Sequence, residues 1–380
     1  MVRMTTGWLY VIAGWVTLYF PAAWLLLVGT RRHRTRPDDG DPEAPSVSVV
    51  VSARNEAKDI RRCIASLAAL DYPGDRLEIV LVNDFSTDET GTICDEAAAA
   101  DPRIRVLHSA ALPPNGLEAK ARGIAHGIAA ARHDWILITD ADAVVPTQWA
   151  RRMLSGLSDD VGIVGGPIVV ARDRWWSAPE RMSWAFLQLV AIGFAGWGLP
   201  FIVFGPNMGI RRSAYLDAGG LAASPVRIAE DLGLFLLATR RGWRTVLHYS
   251  AETAATVHPV PTAGHLFSQH RRWLGGGIEV GWQYAVPLFA ALFWGLGIAA
   301  FLVAGWALSP FWWTVFLVAK LATDGLHLHW QAQRLALRDH VTLLGVLQLY
   351  KIVTLAYLPL SFVFDRRVRW RGAGYVVRYD

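Results

Sequence analysis

The sequence predicts an α/β domain on a parallel sheet, flanked by apolar helical segments at both ends of the chain. Two observations carry that reading. From about residue 46, short β-branched and aliphatic runs alternate with stretches of helical spacing, and each run ends in a polar loop. Hydrophobic residues make up 53% of the 380, and the excess is gathered near the two termini.

Residues 7–30 carry no charge, and about 24 positions suffice to cross a bilayer as a helix. No small-residue cleavage site follows, so the segment reads as an anchor rather than a removed signal peptide. "RRHRTR" comes next and, by the positive-inside rule, lies in the cytoplasm. With "PDDGDPEAP" it makes a basic/acidic linker over 31–45, ahead of a cytoplasmic domain over 46–280. "SVSVVVSARNEA" gives a strand at 47–51 and a polar turn; "AKDIRRCIASLAAL" has helical spacing. "LEIVLVNDFSTDET" gives a second buried strand, 79–82, and an acidic loop. "GTICDEAAAAD" is helical, "IRVLHS" is a third strand, and "NGLEAKARGIAHGIAAAR" is a glycine-led helix. "HDWILITDADAVVP" closes the series with a strand that surfaces at Asp140 and Asp142.

Parallel strands joined by helices bring their carboxyl-end loops to one edge, where ligands bind. Two carboxylates one residue apart repel unless something positive lies between them. Neither a P-loop nor a convincing Rossmann glycine fingerprint occurs. A diphosphate would therefore be held through Mg²⁺ or Mn²⁺, hard cations that take carboxylate oxygens. Cys63 and Cys94 have neither metal nor redox spacing and read as buried, reduced thiols. The net charge of +5 favours anionic lipid and phosphate-bearing substrates. Arginines beside apolar segments, rather than along one soluble face, argue against nucleic acid.

Residues 182–210 carry no formal charge, yet a span there would separate the acidic pair from "IAEDLGLFL" and "SQHRRWLGG". The stretch 182–204 therefore reads as an interfacial apolar segment lining an acceptor pocket, or as plain core. The C-terminal membrane region, 281–380, offers spans at 284–308 and 311–326, with Lys320 placed to snorkel. Residues 341–364, basic on both flanks, read as interfacial or re-entrant.

Taken in order, these pieces resemble the membrane-bound family-two glycosyltransferases, whose GT-A fold is a Rossmann-like nucleotide-sugar-binding domain. "VVVSARNEA" resembles the first strand and its N-E turn, "IVLVNDFSTDET" the uridine-binding loop, "AKARGIAHGI" the lysine-bearing helix and "TDADAVVP" the D-x-D. "FGPNMGIRRSAYLDAGG" resembles the acceptor-side loop, "AED" the catalytic E-D and "QHRRW" the Q-x-x-R-W. The resemblance covers roughly 46–275 and implies roles. Asp84 would contact uracil or ribose, with Glu56 supporting the first loop. Asp140 and Asp142 would hold the metal, and Lys120 would touch the nucleotide. Asp231, beside Glu230, would be the general base; Gln269, Arg272 and Trp273 would close the donor site, with Asn207 and Trp273 toward the acceptor. Taken singly, Lys120 also fits a solvated helix lysine, and Glu56 and Asp231 fit acids in a first helical turn.

The implied enzyme is an inverting, metal-dependent glycosyltransferase. It moves sugar from a nucleotide sugar, with UDP expected, to a lipid-like acceptor at the cytoplasmic face of the cell membrane. The alternatives are a processive polysaccharide synthase and a non-catalytic, membrane-anchored nucleotide-sugar-binding subunit.

Overall fold

The computed structural model describes residues 2–33, 44–172, 177–224, 226, 229–279, 301, 310–338, 341–354, 358, 360–361, 365, 367–370 and 373–376. The chain divides into a sheet unit, Arg34–Asp173 with Leu199–Pro259, and a helical unit, Met1–His33, Arg174–Gly198 and Val260–Asp380. The segments 174–198 and 260–280, expected inside the catalytic domain, thus group with the flanking helices.

The sheet unit carries strands β1 (Val47–Ala53), β2 (Leu77–Asn83), β3 (Ile104–His108), β4 (Trp135–Asp140), β5 (Val161–Gly165), β7 (Asn207–Arg211) and β8 (Arg244–Leu247). Their order across the sheet is β3-β2-β1-β4-β7-β5-β8, and β6 (Ile168–Val170) pairs separately with β9 (Ala255–Val257). β1, β2 and β4 are buried along nearly their whole length, as continuous apolar runs in a parallel sheet should be. Their register leaves the carboxyl ends flush, with Ala53 opposite Asn83 and Ser52 opposite Asp140.

The sheet is mixed, not wholly parallel. β7 runs antiparallel to both β4 and β5, and it comes from "NMGIR", which had read as loop. Gly209 lets it fit there, since a Cβ would come within 2.5 Å of Leu137 and 2.8 Å of Val164. Around the sheet lie α2 (Ile60–Ala68), α3 (Thr90–Ala100), α4 (Ala119–Ala130), α5 (Trp149–Met153), α7 (Arg212–Asp217) and α8 (Glu230–Arg240). α4 presses hard on β1: a Cβ at Gly123 would meet Ser52 Oγ at 2.1 Å, and one at Gly127 would meet Val50 Cγ1 at 2.3 Å.

The helical unit contains α1 (Val2–Arg32), α6 (Ala178–Ala195), α9 (Ala263–Glu279), α10 (Pro310–Arg334) and α11 (Leu344–Ile352), with a hairpin of β10 (Arg367–Trp370) and β11 (Ala373–Val376). α6 packs on α1 through small residues, and a Cβ at Gly196 would sit 1.8 Å from the Gly29 carbonyl oxygen. Phe194, Trp197 and Leu199, in the stretch 182–204 expected at an interface or in the core, are exposed.

Among the described residues no helix is long and apolar enough to cross a membrane. The expected segments 7–30 and 311–326 fall in α1 and α10, while 284–308 lies outside the described residues except for Phe301. In α1 the side chains of 2–13, 15 and 16 are also outside the described set. α10 loses apolarity to one polar face, where Lys320, Asp324, His327 and Gln331 turn inward. Lys320 therefore does not snorkel. It is 2% exposed, and its Nζ donates to Asp324 Oδ2 at 2.8 Å. The same carboxylate accepts from Lys351 Nζ at 2.7 Å, Gln348 Nε2 at 2.9 Å and Tyr19 Oη at 2.9 Å, tying α1, α10 and α11 together. Of 341–364, α11 is helical, while 355–357, 359 and 362–364 lie outside the described residues.

Candidate active site

The loops after β1, β2 and β4 meet at the flush edge of the sheet. The first two loops brace one another. Asn55 takes a left-handed φ of 57°, and its Oδ1 accepts the Thr87 N–H at 2.8 Å. The Glu56 N–H donates to Thr90 Oγ1 at 2.8 Å, and the Ala57 N–H to Asp88 Oδ2 at 3.2 Å. This gives the D-x-S-x-D-x-T spacing a mechanical reason: its last acid and threonine hold the neighbouring loop.

Asp84 is 1% exposed and gripped by Arg122, with Nε to Oδ1 at 2.8 Å and Nη2 to Oδ2 at 2.9 Å. The Arg122 guanidinium also lies 4.6 Å from the centre of the Phe85 ring. Arg122 was missed in the sequence; its signal was the basic residue two places after Lys120, on the same glycine-led helix.

Asp140 ends β4, and Asp142 follows after one turn residue. Burial pushes Asp142 up to about 7, and the charges of Asp140 and Glu56 push the same way. Glu56 is therefore electrostatically part of the acidic cluster, while its N–H holds the first loop against Thr90. Lys120, expected as a possible solvated lysine, is instead inside the cluster. Its Nζ stands 2.6 Å from Asp140 Oδ1 and 2.8 Å from Glu230 Oε1. Burial disfavours its charge, but the two carboxylates outweigh this and raise its proton affinity.

Asp231 lies in the first turn of α8, which Glu230 opens, as the helix-start reading expected. Its Oδ2 accepts the Gly205 N–H at 2.8 Å, and its Oδ1 the Leu232 N–H at 2.8 Å. Burial raises its affinity for a proton, the Glu230 charge adds to this, and Lys120 opposes it. Gly205 leaves little room, since a Cβ there would meet Asp231 Oδ2 at 3.2 Å.

Asn207 corrects the acceptor-side expectation. It is fully buried, accepts from Trp149 Nε1 at 2.8 Å, and donates to the carbonyls of Pro167 at 2.8 Å and Thr253 at 2.7 Å. Its amide is spent on holding β7 in place. Gln269, Arg272 and Trp273 lie on α9 in the helical unit, where Trp273 packs edge-on against Trp184 and His270 at 4.7 and 5.1 Å. Its two ring neighbours give Trp273 a packing role within the helical unit. Cys63 and Cys94 are buried free thiols, as expected; burial raises the Cys63 thiol far from reactivity.

Among the described residues no group of three or more His, Cys, Asp or Glu side chains closes into a metal site. The pair Asp140/Asp142 nonetheless suits a hard cation that takes one or two carboxylates and completes its shell with phosphate oxygens and water. Asp140 Oδ1 is buried and already faces a cation, the Lys120 ammonium at 2.6 Å.

Residues 48–218 match the family described as glycosyl transferase family 2, and residues 135–365 match glycosyl transferase family group 2. The probable glycosyltransferase YdaM of Bacillus subtilis is 30% identical over 263 residues, 67% of this chain and 59% of that protein. A beta-monoglucosyldiacylglycerol synthase of Synechocystis is 27% identical over 267 residues, 65% of this chain and 54% of that protein. The chain thus spans between half and three fifths of the length of these curated relatives. A solved mannosyltransferase, PcManGT from Pyrobaculum calidifontis in complex with GDP-Man and Mn²⁺, superposes with a TM-score of 0.56. It is 20% identical, with 91% of this chain and 98% of that one covered, and shares the fold.

Proposed function

The chain belongs to glycosyl transferase family group 2, and on that premise we propose that it transfers one sugar from a nucleotide sugar to a lipid-like acceptor. The observation that carries this reading is the convergence, at one sheet edge, of the Asp140/Asp142 pair with a separate carboxylate, Asp231, whose neighbour Glu230 is bridged to Asp140 by Lys120. One pair suits the diphosphate side and the other carboxylate suits the acceptor side, as inverting transfer requires.

In this account Asp140 and Asp142 hold Mg²⁺ or Mn²⁺, which when bound neutralises diphosphate charge. The Asp84–Arg122 pair, braced by the first two loops, orients the nucleoside, with UDP the favoured donor. Asp231 takes the proton of the acceptor hydroxyl as its oxygen bonds to the anomeric carbon. The bond from that carbon to the diphosphate breaks, and the nucleoside diphosphate leaves with the electron pair. Burial and Glu230 raise the proton affinity of Asp231, which equips it for the task.

The acceptor class is supported by the relatives named beta-monoglucosyldiacylglycerol synthase. We place the protein at the cell membrane with its sheet unit in the cytoplasm. The uncharged stretch 7–30, whose first half lies largely outside the described side chains, would reach about 36 Å at 1.5 Å per residue as a helix, beyond the ~30 Å hydrocarbon core. Arg31 and Arg32 in its last turn suit a cytoplasmic end. Release of nucleoside diphosphate from a panel of UDP- and GDP-sugars, in detergent with added lipid, tests the reading. Release should require Mn²⁺ and disappear with EDTA, with Asp142→Asn and with Asp231→Asn. Release indifferent to all three would overturn it.

A further inference from the structure

Lys120 sits where a cation is wanted. Its ammonium lies 2.6 Å from one carboxylate of the D-x-D pair and 2.8 Å from Glu230. The side chain is not free to drift away. Gly123 and Gly127 let α4 lie against β1 at distances that exclude a Cβ. The residue before Lys120, Ala119, holds a φ of 49°, a left-handed conformation that costs a non-glycine residue of order 1 kcal/mol or more. Backbone strain at the first position of α4 therefore helps to set where the lysine departs from the helix. The contact with Asp140 is a charge–charge contact at 2.6 Å, so a cation that coordinates Asp140 competes for the same carboxylate oxygen. Glu230, on α8, offers the ammonium a second anchor that does not depend on Asp140.

We propose that Lys120 is a tethered counter-ion that competes with the divalent cation for Asp140 and yields the position by retreating to Glu230. This rests on the metal reading of Asp140 and Asp142. Its consequence is a protein whose acidic edge is neutralised before any metal arrives. A divalent ion alone binds weakly, because it must displace a like charge held at 2.6 Å. The competition is specific to the charge at this position, not to the length of the side chain.

The test is Mn²⁺ binding by calorimetry on the full chain in detergent, without nucleotide, with melting temperature read in parallel. Lys120→Met and Lys120→Gln remove the charge, and Lys120→Arg retains it. Both neutral variants should bind Mn²⁺ tighter by about tenfold or more, while melting lower than wild type without metal and gaining more from added Mn²⁺. Lys120→Arg should bind as weakly as wild type. Equal or weaker Mn²⁺ binding by the neutral variants overturns the inference alone, since the metal site would still exist. No Mn²⁺ binding to any of the proteins, with UDP present or absent, overturns the metal reading and this inference together.

Discussion

Glu180 stands in the first turn of α6, where the helix dipole ordinarily favours a negative charge. Here burial wins. The residue is 2% exposed, and desolvation pushes it from its ordinary 4.5 up to about 7, against the pull of the Val260 N–H that donates to Oε2 at 2.8 Å. The folded chain thus holds this proton more tightly than the unfolded chain does. Stability from this group is fully present below about pH 4.5 and is lost as the pH rises through 7. At ~1.36 kcal/mol for each pH unit between the two values, the loss reaches about 3 kcal/mol by pH 8. Glu180→Gln keeps an acceptor for Val260 and cannot ionise. Tryptophan-fluorescence melting of both proteins in detergent at pH 5 and pH 8 reads the difference. The variant should match wild type within a degree or so at pH 5 and melt several degrees higher at pH 8. An equal shift at both pH values, or a lower melting point at pH 8, would refute the reasoning.

Three further outcomes are expected. Asp231→Asn should lower kcat by roughly 10²–10⁴ while leaving nucleotide affinity unchanged; a change confined to KM would remove Asp231 from the proton transfer. Asp324→Asn leaves Lys320 and Lys351, each within 2.8 Å of the lost carboxylate, without their shared counter-charge. Denaturation should show a loss of about 3–5 kcal/mol, and an unchanged midpoint would mean the cluster does not hold the helices. Gly127→Ala forces a Cβ to within 2.3 Å of Val50 and should cost about 1–3 kcal/mol by the same measurement, where a neutral result would contradict the tight seating of α4.

The three leading strands and the acidic ends of β2 and β4 were readable because buried parallel strands are uninterrupted apolar runs ending in polar loops. β7 escaped notice because five residues inserted between β4 and β5, one of them glycine, carry no periodic signature; only pairing partners reveal them. Lys120 and Arg122 could be recognised as basic residues on a helix but not as ligands of carboxylates. That depends on how closely Gly123 and Gly127 seat the helix on β1. Asn207 misled for the opposite reason: a polar residue in a family-like loop suggested contact with substrate, whereas its hydrogen bonds close a buried junction. Lys320 likewise read as a snorkelling lysine, because its partners Asp324 and Lys351 lie 4 and 31 positions away in sequence.

The central claim is transfer of a single sugar to a lipid acceptor, with Asp231 as the base. Its most direct test is incubation of the purified full chain with Mn²⁺, vesicles containing diacylglycerol, and a UDP-sugar radiolabelled in the sugar, followed by organic extraction and chromatography. One labelled glycolipid should appear in the organic phase, formed by wild type and not by Asp231→Asn. Label retained at the origin as polymer, or a glycolipid formed equally by the variant, would contradict it.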